Sequence, residues 1–197
     1  EFPQNLEKAA DYVQNELRAA GYTVKALPYK GSTGEVFNYE AILEGTGESK
    51  EVIVVGAHYD TVPTTPGADD NASGVAAMLE VARQMKALKL PRSIRFVAFV
   101  NEEPPYFKQA DMGSLVYAQS LAAQKVNVVA MFSLETMGYF DETEGAQAYP
   151  PPLNWFYPDT GDFLAFVSNT DNSALTRQSV ELFRKHATLP SEGATAP

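Results

Sequence analysis

Val52-Ile53-Val54-Val55-Gly56-Ala57-His58 leads through a loop into Gly67-Ala68-Asp69-Asp70-Asn71-Ala72-Ser73-Gly74, and this pair of segments decides the fold. The first is a short β-branched apolar run over Val52–Ala57, the pattern of a strand buried on both faces. The second ends where Val75, Met78, Leu79, Ala82 and Met85 begin to recur at helical spacing, which predicts a helix over Ser73–Leu88. Pro91 closes that unit, and Ile94–Val100 reads as another buried strand. Further on, Gly113–Gln124 predicts a helix and Val126–Leu134 a strand. Upstream, Leu6, Ala9, Ala10, Val13, Leu17 and Ala20 mark an amphipathic helix over Asn5–Ala20, with Asn5 as N-cap and Gly21 as stop. Thr23–Tyr29 and Val36–Leu43 read as strands joined by the Gly31-Ser32-Thr33-Gly34 turn, an antiparallel edge hairpin. Asp141–Asp162 is a loop rich in proline and aromatic residues, Phe163–Val167 a weak strand signal, and Ser173–His186 a last helix. Strands alternating with helices imply an α/β sandwich around a mainly parallel sheet. With no repeat and no dividing linker, residues 1–197 are expected to form a single domain.

Composition narrows the function. The chain has 197 residues, 45% apolar content and a net charge of −10, with no basic patch, so nucleic acid and anionic membranes are poor partners. It has no cysteine, hence no disulfide framework and no thiolate metal site. No run of about 18 apolar residues occurs, so no membrane span is expected.

In open α/β sheets, ligands bind beyond the carboxyl ends of the strands. His58, Glu102-Glu103 and Glu135 each directly follow a strand expected to be buried, and Asp70 lies in the loop entering a helix. A strand-end imidazole is a common metal ligand, and Asp60 is placed to orient its second nitrogen. Asp69-Asp70-Asn71 suits an ordinary Asx turn or a cation, with Asp70 as bridging ligand. Adjacent glutamates point in different directions, so one of Glu102 and Glu103 can bind metal while the other faces water. Glu135, after a nearly all-apolar strand, needs a partner or a metal. The bland alternatives are a lone loop histidine and solvated acids. Their convergence on one sheet edge favours a divalent metal with one free carboxylate base. Tyr149, Trp155, Phe156 and Tyr157 are expected to line a hydrophobic subsite, to pack as core or to contact a partner.

Val55-Gly56-Ala57-His58-Tyr59-Asp60-Thr61, Gly67 through Gly74, Asn101-Glu102-Glu103-Pro104, Met112-Gly113-Ser114 and Ser133-Leu134-Glu135-Thr136-Met137-Gly138-Tyr139 together resemble the two-zinc aminopeptidases of the leucyl aminopeptidase and aminopeptidase Y type. The resemblance runs over about residues 5 to 190. It implies a Zn-dependent exopeptidase fold, a three-layer αβα sandwich with a mixed, mainly parallel central sheet. It implies two zinc ions: one held by His58, Asp70 and Glu135, the other by Asp70 and Glu103. Glu102 becomes the general base and Asp60 the acid behind the histidine. The substrate implied is a peptide with a free N-terminus, in a secreted or periplasmic setting. Glu135 stands where the family usually has aspartate. The family's last histidine ligand lies in a C-terminal Ser-Asp-His-like segment that these residues lack, and His186 is not assigned to that role. The catalytic domain is therefore expected to be cut short at its C-terminal end, with little activity in this chain alone. Glutaminyl cyclases and carboxypeptidases share the architecture and are the alternative reactions. An inactive metal-binding domain is the non-enzymatic alternative.

Overall fold

In the computed structural model, which describes residues 3–196, the amphipathic N-terminal segment is helix α1 (Pro3–Ala19), with Ala10, Val13 and Leu17 buried on one stripe. The predicted hairpin follows as β1 (Val24–Gly31) and β2 (Gly34–Leu43), closed by a Gly31–Gly34 pair. Then come β3 (Glu51–His58), α2 (Gly74–Met85), β4 (Ser93–Phe99), α3 (Gly113–Ala123) and β5 (Asn127–Ser133). These belong to a first compact unit that runs to Gly138.

The five strands form one sheet in the order β1-β2-β4-β3-β5. β2 is antiparallel to both neighbours, while β4, β3 and β5 are mutually parallel. β2 alone therefore opposes the other four, and the expected mixed, mainly parallel α/β sheet is what the chain builds. The two-residue period of a strand divides β4 between two cores. Ile94, Phe96, Ala98 and the following Val100 join α1 and α2 on one face, around Leu17 and Met78. Val97 and Phe99 join Val52 and Val54 against Tyr117 and Leu121 of α3 on the other. Each large side chain so buried contributes roughly 1.5–3 kcal/mol. On the α3 face, buried Glu40 of β2 accepts hydrogen bonds from Tyr117 (2.6 Å) and Arg95 (3.0 Å).

Two features differ from the sequence reading. β5 is not a buried strand: it is the edge of the sheet, and Val128, Val129 and Met131 are 37–42% exposed. Its apolar run describes an edge strand covered on neither side like the central ones, so burial of the preceding strand does not account for Glu135. The second feature is strand β7 (Ser191–Ala196), composed of Ser, Glu, Gly, Ala and Thr, which carries almost none of the β-branched and aromatic signal of a strand.

β7 belongs to the second unit, from Tyr139 onward. There β6 (Leu164–Asn169) pairs with it in parallel from Leu164–Ser191 to Asn169–Ala196, and α4 (Ser173–His186) is the crossover. Phe166 packs edge-on against Phe183 at 5.4 Å, and Arg184 donates to the Ser191 carbonyl. Tyr149 and Tyr157 lie within this unit, their rings 5.5 Å apart. Trp155 and Phe156 are both 75% exposed, which removes the core-packing reading for them. Among the described residues no helix is long and apolar enough to cross a membrane.

Candidate metal centre

All the singled-out acids and His58 lie in the first unit, at the carboxyl edge of β3, β4 and β5. His58 is the last residue of β3, paired with Phe99, and only 2% exposed. Its Nδ1 stands 3.0 Å from the Asp60 carbonyl oxygen, which makes Nδ1 the N–H donor and turns Nε2 toward the acids. Nε2 lies 3.1 Å from Glu135 Oε1, 3.2 Å from Asp70 Oδ1 and 3.7 Å from Glu102 Oε2.

Asp60 stands behind the imidazole: its main-chain carbonyl is 3.0 Å from Nδ1 and its carboxylate Oδ1 3.5 Å. Its Oδ2 accepts the amides of Glu102 (2.9 Å) and Glu103 (3.1 Å). One buried carboxylate thereby fixes the turn that aims both glutamates. The turn starts at Asn101, whose φ of +59° swings the chain off β4.

Two buried asparagines, which sequence reasoning did not single out as anchors, complete the frame. Asn38 of β2 accepts from the Val100 amide (3.1 Å) and donates to the Gly113 carbonyl (2.8 Å), tying the end of β4 to the start of α3. Asn71 donates to the Leu134 carbonyl (2.9 Å) and accepts from the Gly74 (3.1 Å) and Thr136 (3.2 Å) amides, tying the end of β5 to the start of α2. Each clamp needs glycine at the helix start. A Cβ on Gly113 would collide with the Val100 carbonyl and Asn38 Oδ1, and one on Gly74 with the Leu134 carbonyl and Asn71 Oδ1. Asp69 is turned away from His58: its Oδ1 accepts the Gly138 amide (2.6 Å), and Ser73 Oγ accepts the Met137 amide (2.9 Å). The irregular helical turn Ala68–Ser73, with Asp70 at φ −103°, ψ 94°, is thus sewn to the segment after β5.

The electrostatics call for positive charge. Burial alone would push the His58 imidazole down, yet its hydrogen bonds to Asp60 and Glu135 and their charges raise it from 6.5 to about 11. Burial, then neighbouring acids, raises Glu102; burial and the Asp70 charge raise Glu103; burial chiefly raises Asp70. Glu103 Oε1 is buried without a hydrogen-bond partner. Among the described residues, His58, Asp70 and Glu135 form the one group of three such side chains whose donor atoms all lie within 4.8 Å of one another. Zinc bonds of about 2.0 Å at tetrahedral angles put donors about 3.3 Å apart, close to the separations from Nε2. The donor set, the spacing and the orphaned carboxylate oxygen all fit a divalent cation.

The sequence matches peptidase family M28 over residues 38–184, a span that contains every one of these side chains. The chain belongs to that family. It is 38% identical to the protein YfbL of Escherichia coli (strain K12) over 186 residues, covering 88% of this chain and 55% of the relative. Among solved structures, LapB from Legionella pneumophila superposes with a TM-score of 0.70 at 24% identity, over 96% of this chain and 48% of that one, a likeness of fold. BSAP, a zinc aminopeptidase from Bacillus subtilis, superposes with a TM-score of 0.56 at 26% identity, over 81% of this chain and 35% of that one. The chain thus spans about half, or less, of the length of these proteins.

Proposed function

We propose that residues 1–197 form part of the catalytic domain of a zinc-dependent aminopeptidase acting on peptides with a free N-terminus. The observation that carries the reading is that Glu102, Asp70 and Glu135 converge on one buried imidazole nitrogen within 3.7 Å. His58, Asp70 and Glu135 would hold one ion, and Glu103 with Asp70 would contribute to a second. Zinc held there supplies Lewis acidity that polarises a carbonyl and acidifies a water. Glu102 takes up a proton at its carboxylate and hands it to the leaving amine. Burial and the surrounding acids raise its affinity for that proton, which favours its taking the proton up. Asp60 holds Glu102 in position through the main chain. The surrounding carboxylates offer a cationic N-terminal amine a favourable field. An exported setting accords with this reading.

Glu102→Gln in the complete protein keeps the shape of the side chain and removes its basic oxygen. Hydrolysis of an aminoacyl-arylamide should fall about 10²–10⁴-fold while zinc content stays unchanged. Unchanged turnover at equal zinc would refute the role of Glu102. Cyclisation of an N-terminal glutamine without arylamide cleavage would replace the aminopeptidase reading with a cyclase one.

A further inference from the structure

We propose that Asn71 is the positioning residue of the metal centre: it holds the main chain on both sides of Glu135, so that Glu135 and its own neighbour Asp70 present their carboxylates to His58 as one unit. This rests on the reading of His58, Asp70 and Glu135 as metal ligands.

The β3–β5 ladder ends at Gly56–Ser133, with a last hydrogen bond from the Leu134 amide to the Gly56 carbonyl (2.8 Å). Beyond it the chain leaves the sheet at an exposed edge, and nothing in β5 itself fixes where Glu135 goes. Asn71 takes over from the strand. Its Nδ2 donates to the carbonyl before Glu135, at Leu134, and its Oδ1 accepts the amide after it, at Thr136. A side-chain amide offers this donor and acceptor in one plane, as a neighbouring strand's peptide group does. Nδ2 also lies 3.5 Å from Glu135 Oε2, on the side of the carboxylate away from His58. Asn71 is 2% exposed, and its Oδ1 also takes the Gly74 amide, so the clamp is anchored to the first turn of α2. Ser73 and Asp69 hold Met137 and Gly138, farther along; Asn71 is the side chain that grips both flanks of the ligand.

Asn71→Asp tests this. The substitution is isosteric and keeps the acceptor, but it removes the donor and sets a carboxylate against the Leu134 carbonyl and Glu135. The purified chain is stripped with chelator and titrated with zinc by calorimetry, and with cobalt(II) by visible absorption, beside His58→Ala. The expected results are zinc binding about 10–100-fold weaker in Asn71→Asp and a changed cobalt(II) spectrum, since ligands without their orienting partner lose affinity on that scale. His58→Ala should lose the site altogether. Wild-type affinity and an unchanged cobalt(II) spectrum in Asn71→Asp would overturn the positioning role, whereas tight zinc binding in His58→Ala would overturn the metal assignment instead. Hydrogen exchange in the unsubstituted, metal-free protein gives a readout independent of how the variant folds. The Thr136 amide should exchange slowly although the residue is exposed, and fast exchange would equally overturn the proposal.

Discussion

The ends of β4 and β5 carry the same device in different surroundings. At each, a buried asparagine ties the departing strand to a glycine that starts a helix, Asn38 with Val100 and Gly113, Asn71 with Leu134 and Gly74. β4 is a central strand with Phe96, Val97 and Ala98 fully buried, and Asp60 adds a second grip on the residues that follow it. β5 is an edge strand with half-open side chains, and Glu135 after it is 42% exposed. A ligand on a central strand is placed by the core. A ligand on an edge strand is placed by whatever side chains reach across to it. The first kind is expensive to disturb for the fold, the second for the metal.

Asn38→Ala should therefore have the largest effect on stability. It strands the Val100 amide in the core, at about 1–3 kcal/mol for the unpaired donor, and removes the second bond to the Gly113 carbonyl, about 0.5–1.5 kcal/mol more. Urea unfolding measures it. A loss below that found for Asn71→Asp would break the distinction between the two strand ends.

The smaller effect is at alkaline pH. Burial raises the phenols of Tyr22, Tyr29, Tyr39 and Tyr117, all of which pack around β1, β2 and β4, and Tyr117 is raised further by its hydrogen bond to Glu40. A group held above its unfolded pKa, here about 10, binds its proton more tightly when folded. The stability it contributes is intact below about pH 10 and is lost as the pH rises past it. Thermal unfolding should show that decline beginning near pH 10. Tyr117→Phe should make it shallower while costing about 1.5–3 kcal/mol at neutral pH through the lost bond to a charged partner. An unchanged slope would mean that the central strands do not carry the alkaline sensitivity.

Much of this was legible in the amino-acid sequence. Val52–Ala57 and Ile94–Val100 announce buried strands, so His58 and Glu102-Glu103 are recognisable as strand-end groups, and the Asp69-Asp70-Asn71 turn before a helix pointed to Asp70. The clamps were hidden because their partners are distant in the chain: Asn38 meets a residue 62 positions away, Asn71 one 63 away, and Asp60 reaches the glutamates 42 and 43 positions on. Hydrophobic period reports which face of an element is covered, not which polar group waits opposite. It also misjudged β5, whose Val-Val-Ala-Met-Phe run looks the same whether the strand is central or at an edge. β7 escaped because Glu-Gly-Ala-Thr pairs through its main chain against β6, with little side-chain signature.

The most direct test is to diffuse zinc into crystals of this chain and collect anomalous diffraction at the zinc edge. The account predicts a strong peak bonded to His58 Nε2 and to carboxylate oxygens of Asp70 and Glu135, at about 2.0–2.2 Å from each. A peak bonded to other side chains, or none at this imidazole, would contradict it.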